Sequence, residues 1–250
     1  MREKRYPLSF YDRFQELEET LVCIGSHDLT LDVLSSHMKA ISGRGGIASA
    51  HVGSLAGILS LRKGEAHFAG IHLLDPETGE YNRSYLQRFL PGRDVALLNL
   101  VYRNQVLIVP KGNPLNIKNL ADLVKPGVRF INRQGGSGTR VLLDYLLQKQ
   151  GLTKEQIVGY EREEFTHLAV AVAVASGTAD VGLGIQSAAE ALGLDYVLVG
   201  EERYDLAIPQ EFLEEPRMKA MISVIQSKAF QDDVLALGGY DVRETGVFLG

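Results

Sequence analysis

The sequence predicts an α/β fold, and three observations carry that prediction. Short apolar runs of strand length alternate with segments whose apolar residues recur every three or four positions. The strand ends run into small polar residues, as in Gly25-Ser26-His27-Asp28, Gly53-Ser54 and His72-Leu73-Leu74-Asp75. Open α/β sheets bind ligands at such strand ends. Finally, a glycine-rich loop, Gln134-Gly135-Gly136-Ser137-Gly138-Thr139, joins an apolar run to a helical one.

The elements follow in chain order. Leu21 to Ile24 reads as a strand, stopped by Gly25. Leu29, Leu31, Leu34, Met38 and Ile41 recur at helical spacing, and Gly43 to Gly46 end that helix. Ile47 to Val52 is the next strand. Leu55, Ile58, Leu59 and Leu61 carry a helix ending near Gly64, and Ala66 to Leu73 is a third strand. Asp75 to Asn82 reads as a turn. Val95 to Val101 and Gln105 to Val109 read as two strands on either side of Tyr102-Arg103-Asn104, and Ile117 to Leu123 as a short helix. Val128 to Ile131 is the strand before the glycine loop, and Val141 to Leu147 the helix after it, with Ser137 or Thr139 near its start.

From Thr166 to Ser176 two periods compete. Val170, Val172 and Val174 alternate as in a strand, but the alanines and the Gly177 stop favour a buried helix. Ala179 to Leu183 is a strand, Ser187 to Leu192 a helix and Tyr196 to Val199 a strand. Arg203 to Pro209 reads as a return crossing, Phe212 to Ser227 as a helix, and Ala229 to Gly250 as mixed structure.

A chain of 250 residues is long enough for one large domain or two lobes. The net charge of −5 argues against a nucleic-acid surface, which needs a basic patch. It leaves room for a small anion site, because local dipoles and one arginine outweigh distant, screened carboxylates. The single cysteine, Cys23, lies in an apolar run and reads as a buried, inert thiol. The histidines show no metal-binding spacing, so no metal is expected. Met1 to Pro7 is charged and lacks the apolar core of a signal peptide, and no run reaches transmembrane length. The expectation is a cytoplasmic protein without membrane contact.

The glycine loop has the local geometry that binds anions. A helix start exposes free N–H groups and roughly +0.5 of partial charge. Glycines let the backbone approach a ligand closely. Ser137 and Thr139 add hydroxyls, and Arg133 and Arg140 add charge-assisted donors. The loop is neither G-x-x-x-x-G-K-[ST] nor G-x-G-x-x-G, so a nucleotide site gains no support. An ordinary turn, with Ser and Thr only capping the helix, fits the same residues.

Beyond these local signals, Val106-Leu107-Ile108-Val109-Pro110-Lys111-Gly112-Asn113-Pro114-Leu115, followed by the glycine loop, resembles the second lobe of a type II periplasmic-binding-protein fold. Ala179-Asp180-Val181-Gly182-Leu183-Gly184 is similar to the strand that follows in such lobes. With Gly53-Ser54-Leu55-Ala56-Gly57, Ile71 to Asp75, Thr78 to Asn82 and Arg203-Tyr204-Asp205-Leu206, the chain looks like the binding domain fused to molybdopterin molybdenumtransferases or helix-turn-helix regulators. The Ser-Gly-Thr core also resembles the oxyanion loop of tungstate-binding proteins.

The resemblance implies two α/β lobes joined by two hinge-crossing strands, with the ligand between them. Residues 1–20 would be an N-terminal extension or linker, 21–103 plus 205–250 lobe one, and 104–204 lobe two. It implies a binding or sensing module for a small tetrahedral oxyanion, molybdate or tungstate first, with no cofactor and no catalytic residues. The oxyanion-binding residues would be Ser26, Ser54, Arg133, Ser137, Gly138, Thr139 and Arg140, with His72 and Thr166 as secondary candidates. Each has a plainer role beside it. Ser26 or Asp28 caps the first helix, Thr166 caps a later one, His72 is a structural histidine, and Arg140 points away. The implied partner is a DNA-binding or molybdenum-insertion domain, fused or separate. The alternatives are an enzyme or accessory domain of molybdenum-cofactor biosynthesis, or the excised sensor of a transcription regulator. No nucleophile–base pair at a recognisable spacing supports an enzyme.

Overall fold

Two long antiparallel strands organise the molecule. In the computed structural model, which describes residues 19–42 and 46–249, β4 (Val95–Val109) and β8 (Asp195–Pro209) are partners along their whole length. Before β4 come β1 (Thr20–Gly25), α1 (Leu29–Ser42), β2 (Gly46–His51), α2 (Ser54–Lys63), β3 (Ala69–Ile71) and α3 (Arg83–Phe89). Between β4 and β8 lie β5 (Phe130–Arg133), α4 (Gly138–Lys149), β6 (Glu163–Glu164), α5 (His167–Ala175), β7 (Val181–Ile185) and α6 (Gln186–Ala191). After β8 come α7 (Pro216–Ile225), α8 (Lys228–Ala236), β9 (Tyr240–Asp241) and β10 (Phe248–Leu249).

The main sheet has the order β3-β8-β4-β7-β5-β6, and β9 and β10 add to β4. β1 and β2 pair in parallel, and a bridge from Cys23 to Phe68 leads from β1 towards β3. The first half of β4 and the second half of β8 therefore belong to one lobe, and their other halves to the second. An apolar cluster of Ile58, Leu61, Ile71, Leu86 and Leu97 lies in the first lobe. Another, of Leu107, Phe130, Leu143, Leu147 and Val181, lies in the second. A third runs over the crossing strands, from Leu21 and Phe68 through Val106 and Ile108 to Ile131 and Val170.

Most of the expected elements are present. Tyr102-Arg103-Asn104, read as a gap between two strands, is instead the middle of β4. Polar side chains do not end a strand whose backbone is paired on both sides. Tyr102 faces Arg203 and Arg103 faces Glu202, with register shifts beside them absorbing the bend. Tyr196 to Val199 and Arg203 to Pro209 likewise form one strand, β8. The third strand is shorter than expected, and the expected helix over Phe212 to Ser227 starts only at Pro216, where proline suits the first turn. α3 buries only Leu86, which gave no period to read. α8 was read as mixed structure; Ser227, the last residue assigned to the helix before it, is its cap.

The reading of residues 1–20 as an extension lies outside the described residues except for Glu19 and Thr20, as do three of the four glycine-stop positions, 43–45. Cys23 is buried, and burial pushes its thiol up to about 12, as expected of an inert cysteine. Among the described residues no helix is long and apolar enough to cross a membrane.

Candidate functional site

The strand ends and helix starts of the two lobes converge on one buried zone. From the first lobe come Ser26 after β1, Ser54 at the start of α2 and His72 after β3. Ser54 Oγ accepts the His72 N–H at 3.2 Å. From the second come Arg133 at the end of β5 and Ser137, Gly138 and Thr139 at the start of α4. Ser137 is the N-cap, and its Oγ accepts the Arg140 N–H at 3.2 Å. All seven are buried. The N–H groups of Leu55 and Ala56 on α2, and of Gly138 and Thr139 on α4, find no acceptor among the described residues.

The lobes touch here. A Cβ placed on Gly138 would lie 2.2 Å from the His72 carbonyl oxygen and 2.4 Å from His72 Nδ1. One on Gly53 would lie 3.5 Å from Gln134 Nε2 and 3.6 Å from the Gly136 carbonyl. Gly136 turns the loop with φ 79°, which favours glycine. Gly138 has no such backbone demand and is needed because His72 comes so close.

The crossing strands supply charge. Arg103, fully buried, pairs with Asp28 and donates from Nε to Glu202 Oε1 at 2.6 Å. Its guanidinium stands 4.7 Å from the Tyr204 ring centre. Glu202 also accepts from the Gln105 amide and from His72 Nδ1, the latter at 3.1 Å. Burial alone would raise the Glu202 carboxyl, but Arg103 and His72 bring it down to about 2. Asp28 is committed to capping, accepting from Thr30 N at 2.8 Å and Thr30 Oγ1 at 2.5 Å, and from Tyr240 Oη at 3.2 Å.

Arg133 differs from Arg103. Its Nε donates to Gln134 Oε1 at 3.1 Å and its Nη2 to the Phe165 carbonyl at 3.0 Å. Its Nη1 has no partner, and among the described residues no carboxylate pairs with it. Burial, and then the Arg103 charge, hold it down to about 9, which leaves it cationic at neutral pH. Thr139 Oγ1, both ring nitrogens of His167 and Gln105 Oε1 are also buried without a partner. Buried polar groups are rarely left so. Of these, the Thr139 hydroxyl and the His167 ring offer donors, Gln105 Oε1 only accepts, and His167 feels the Arg133 charge.

The structure thus brings together Ser26, Ser54, His72, Arg133, Ser137, Gly138 and Thr139. It does not bring in Arg140, which donates to Glu163 Oε1 at 3.0 Å and to the Arg133 carbonyl at 3.2 Å and lies 3.9 Å over the Tyr160 ring. Thr166 caps α5, accepting Ala169 N–H at 3.0 Å. Arg103, Gln105, Glu202 and His167 were missed. The signal for Arg103 was a charged residue amid an apolar strand. For His167 it was its place just inside the helix that Thr166 caps.

His72 and His167 are held below their ordinary 6.5, both chiefly by burial, with Arg133 and Arg103 adding to it at His167. In the unfolded chain both regain that value. Their contribution to stability is therefore complete above about pH 6.5 and is lost as the pH falls, because the unfolded state then binds protons that the folded state refuses. The unliganded protein should show a melting temperature that drops on acidification, with a shallower slope in His167→Gln. A flat profile would mean that these rings are not buried neutral.

The model of the PBP superfamily domain matches residues 35–226. This chain belongs to the PBP superfamily. Among its relatives is YvgK of Bacillus subtilis (strain 168), an uncharacterized protein, 36% identical over 225 residues that make up 90% of this chain and 72% of YvgK. Among solved structures, the tungstate ABC transporter protein from Geobacter sulfurreducens superposes with a TM-score of 0.63 at 16% identity, covering 88% of this chain and 99% of that one. An ABC-type phosphate transport receptor from Vibrio cholerae gives 0.59 at 18% identity, covering 88% and 98%. At such identities these two PBP-like structures establish the fold alone, which is the expected two-lobed type II architecture with two crossing strands.

Proposed function

We propose that the chain is a binding module for a small tetrahedral oxyanion held between the lobes. The observation that carries this is Arg133, a buried cation that pairs with no carboxylate among the described residues and whose Nη1 amino group is left over. Such a charge is costly unless an anion meets it. The α2 and α4 starts, the free hydroxyl hydrogens of Ser54 and Ser137, and Thr139 Oγ1 complete a donor-rich cradle. A fully deprotonated dianion wants donors only, so molybdate or tungstate is the first reading. Gln105 Oε1, a buried acceptor without a partner, favours a second reading. Hydrogen phosphate carries one hydrogen and needs one such acceptor in the cradle. The tungstate and phosphate proteins among the structural neighbours are in keeping with both.

We take 21–103 plus 205–250 as lobe one and 104–204 as lobe two. The module binds rather than transforms its ligand, and a DNA-binding or molybdenum-insertion domain, fused or separate, receives the signal. Calorimetry against molybdate, tungstate, sulfate and phosphate tests the reading, and silence with all four would sink it. Thr139→Val keeps the shape and removes one donor to a charged group. It should weaken binding about ten- to hundredfold while leaving the ligand-free melting temperature within a few degrees.

A further inference from the structure

A serine hydroxyl has one hydrogen to give, and the geometry fixes where Ser26 gives it. His72 Nδ1 lies 3.1 Å from Glu202 Oε2. An ionised carboxylate only accepts, so Nδ1 carries the ring hydrogen. In a neutral imidazole Nε2 is then an acceptor. The atom beside it, 2.8 Å away, is Ser26 Oγ, which must donate. Ser26 therefore turns its lone pairs, not its hydrogen, to any neighbour on its other side.

His72 is enclosed on all sides. Glu202, Arg103 and the Tyr204 ring, 5.8 Å away, face it from the crossing strands. Arg133 reaches it electrostatically from β5, and His167 feels its charge from α5. Gly138 brings the α4 start so close that a Cβ there would be 2.6 Å from His72 Cε1. The ring edge that joins Ser26 to Glu202 thus abuts the helix start of the oxyanion cradle.

We propose that Ser26, His72 and Glu202 form a relay through which a fully deprotonated oxyanion binds together with one proton, whereas an oxyanion bearing its own hydrogen binds without one. The inference rests on the oxyanion reading above. A bare dianion meets the Ser26 lone pairs and is repelled. The relay removes the conflict when His72 takes a proton from solvent. Nε2–H then donates to Ser26 Oγ, the Ser26 hydrogen swings to the anion, and Nδ1–H stays on Glu202. Hydrogen phosphate instead donates its own hydrogen to Ser26 Oγ and leaves His72 neutral. Ser26 and His72 are in this way specificity-determining residues, and the preference between the two anion classes shifts with pH.

Calorimetry with sodium molybdate in two buffers of different ionisation heat counts the protons taken up. We expect about one per molybdate in mildly alkaline solution, an affinity that rises about tenfold per unit fall in pH, and no uptake with inorganic phosphate. In Ser26→Ala and His72→Gln the uptake should vanish and molybdate affinity should become level with pH. Binding of molybdate by the wild type without proton uptake overturns the relay alone. Failure of every anion to bind overturns the oxyanion reading and the relay with it. A ligand-free arm uses nitrogen NMR of the ring. Nδ1 protonated and Nε2 bare at neutral pH supports the relay, and the opposite tautomer or a charged ring overturns it.

Discussion

Arg133→Met will lose oxyanion affinity while the ligand-free protein melts no lower than the wild type. Two effects act on the empty fold and oppose each other. Removing an unbalanced buried guanidinium is stabilising, since it abolishes a desolvation penalty of several kcal/mol per buried ion. Against this, the Phe165 carbonyl and Gln134 Oε1 lose their donor, at about 1–3 kcal/mol each. Water reaching the Phe165 carbonyl, whose residue is exposed, softens that loss. Binding suffers without compensation. Truncating a buried, hydrogen-bonded charge at a ligand costs about 2–5 kcal/mol, roughly thirtyfold to several thousandfold in affinity. Calorimetry and a melting curve on the same sample check both halves. A collapse in melting temperature with unchanged affinity would make Arg133 a structural residue.

Gly138→Ala should be nearly as damaging to binding as Gly138→Val, because the first methyl already fails to fit. The atom it meets at 2.2 Å is a backbone carbonyl, which cannot rotate aside as a side-chain tip can. With the lobes apart the same methyl has room, and the helical backbone there accepts any residue. The variant should therefore fold but not close. Affinity should fall by about a hundredfold or more, in line with several kcal/mol of overpacking. In small-angle scattering the variant should keep a larger radius at ligand concentrations that saturate the wild type. Wild-type affinity in Gly138→Ala would show that the α4 start does not meet His72 in the bound state.

Local pattern made much of the fold legible. Leu29 to Met38 announced α1 by spacing, Gly64 marked the end of α2, and Ser137 announced α4 by its capping chemistry. The crossing strands were half legible. Their apolar halves read as strands, but the polar centre did not, because what keeps Tyr102 to Asn104 extended is a partner that is distant in sequence. The same holds for the site. Ser54, Ser137 and Thr139 lie at helix starts, where sequence gives chemistry and place together. Arg103, Gln105 and Glu202 lie mid-strand and acquire a role only through register across β4 and β8. The direction of a side chain on a helix is also a tertiary matter. Arg140 was drawn to the face that holds Glu163 and Tyr160, neither of which is adjacent in the chain.

The pairing of β4 with β8 also bears on how the chain folds as it is made. Asn104 and Glu201 stand opposite each other, so the whole segment between them starts and finishes at neighbouring points. That segment contains its own apolar cluster, from Leu107 to Val199, and it leaves the ribosome before β8 has passed the hinge. The first lobe emerges earlier but cannot be completed so soon. Its sheet needs Leu206 and Ala207 of β8 beside Leu97 and Leu98, and its helices need α7 and α8. Domains usually fold in the order of their synthesis. Here the lobe begun first must finish last. Its apolar β1 and β4 surfaces stay open to chaperones or to wrong partners until the return strand arrives.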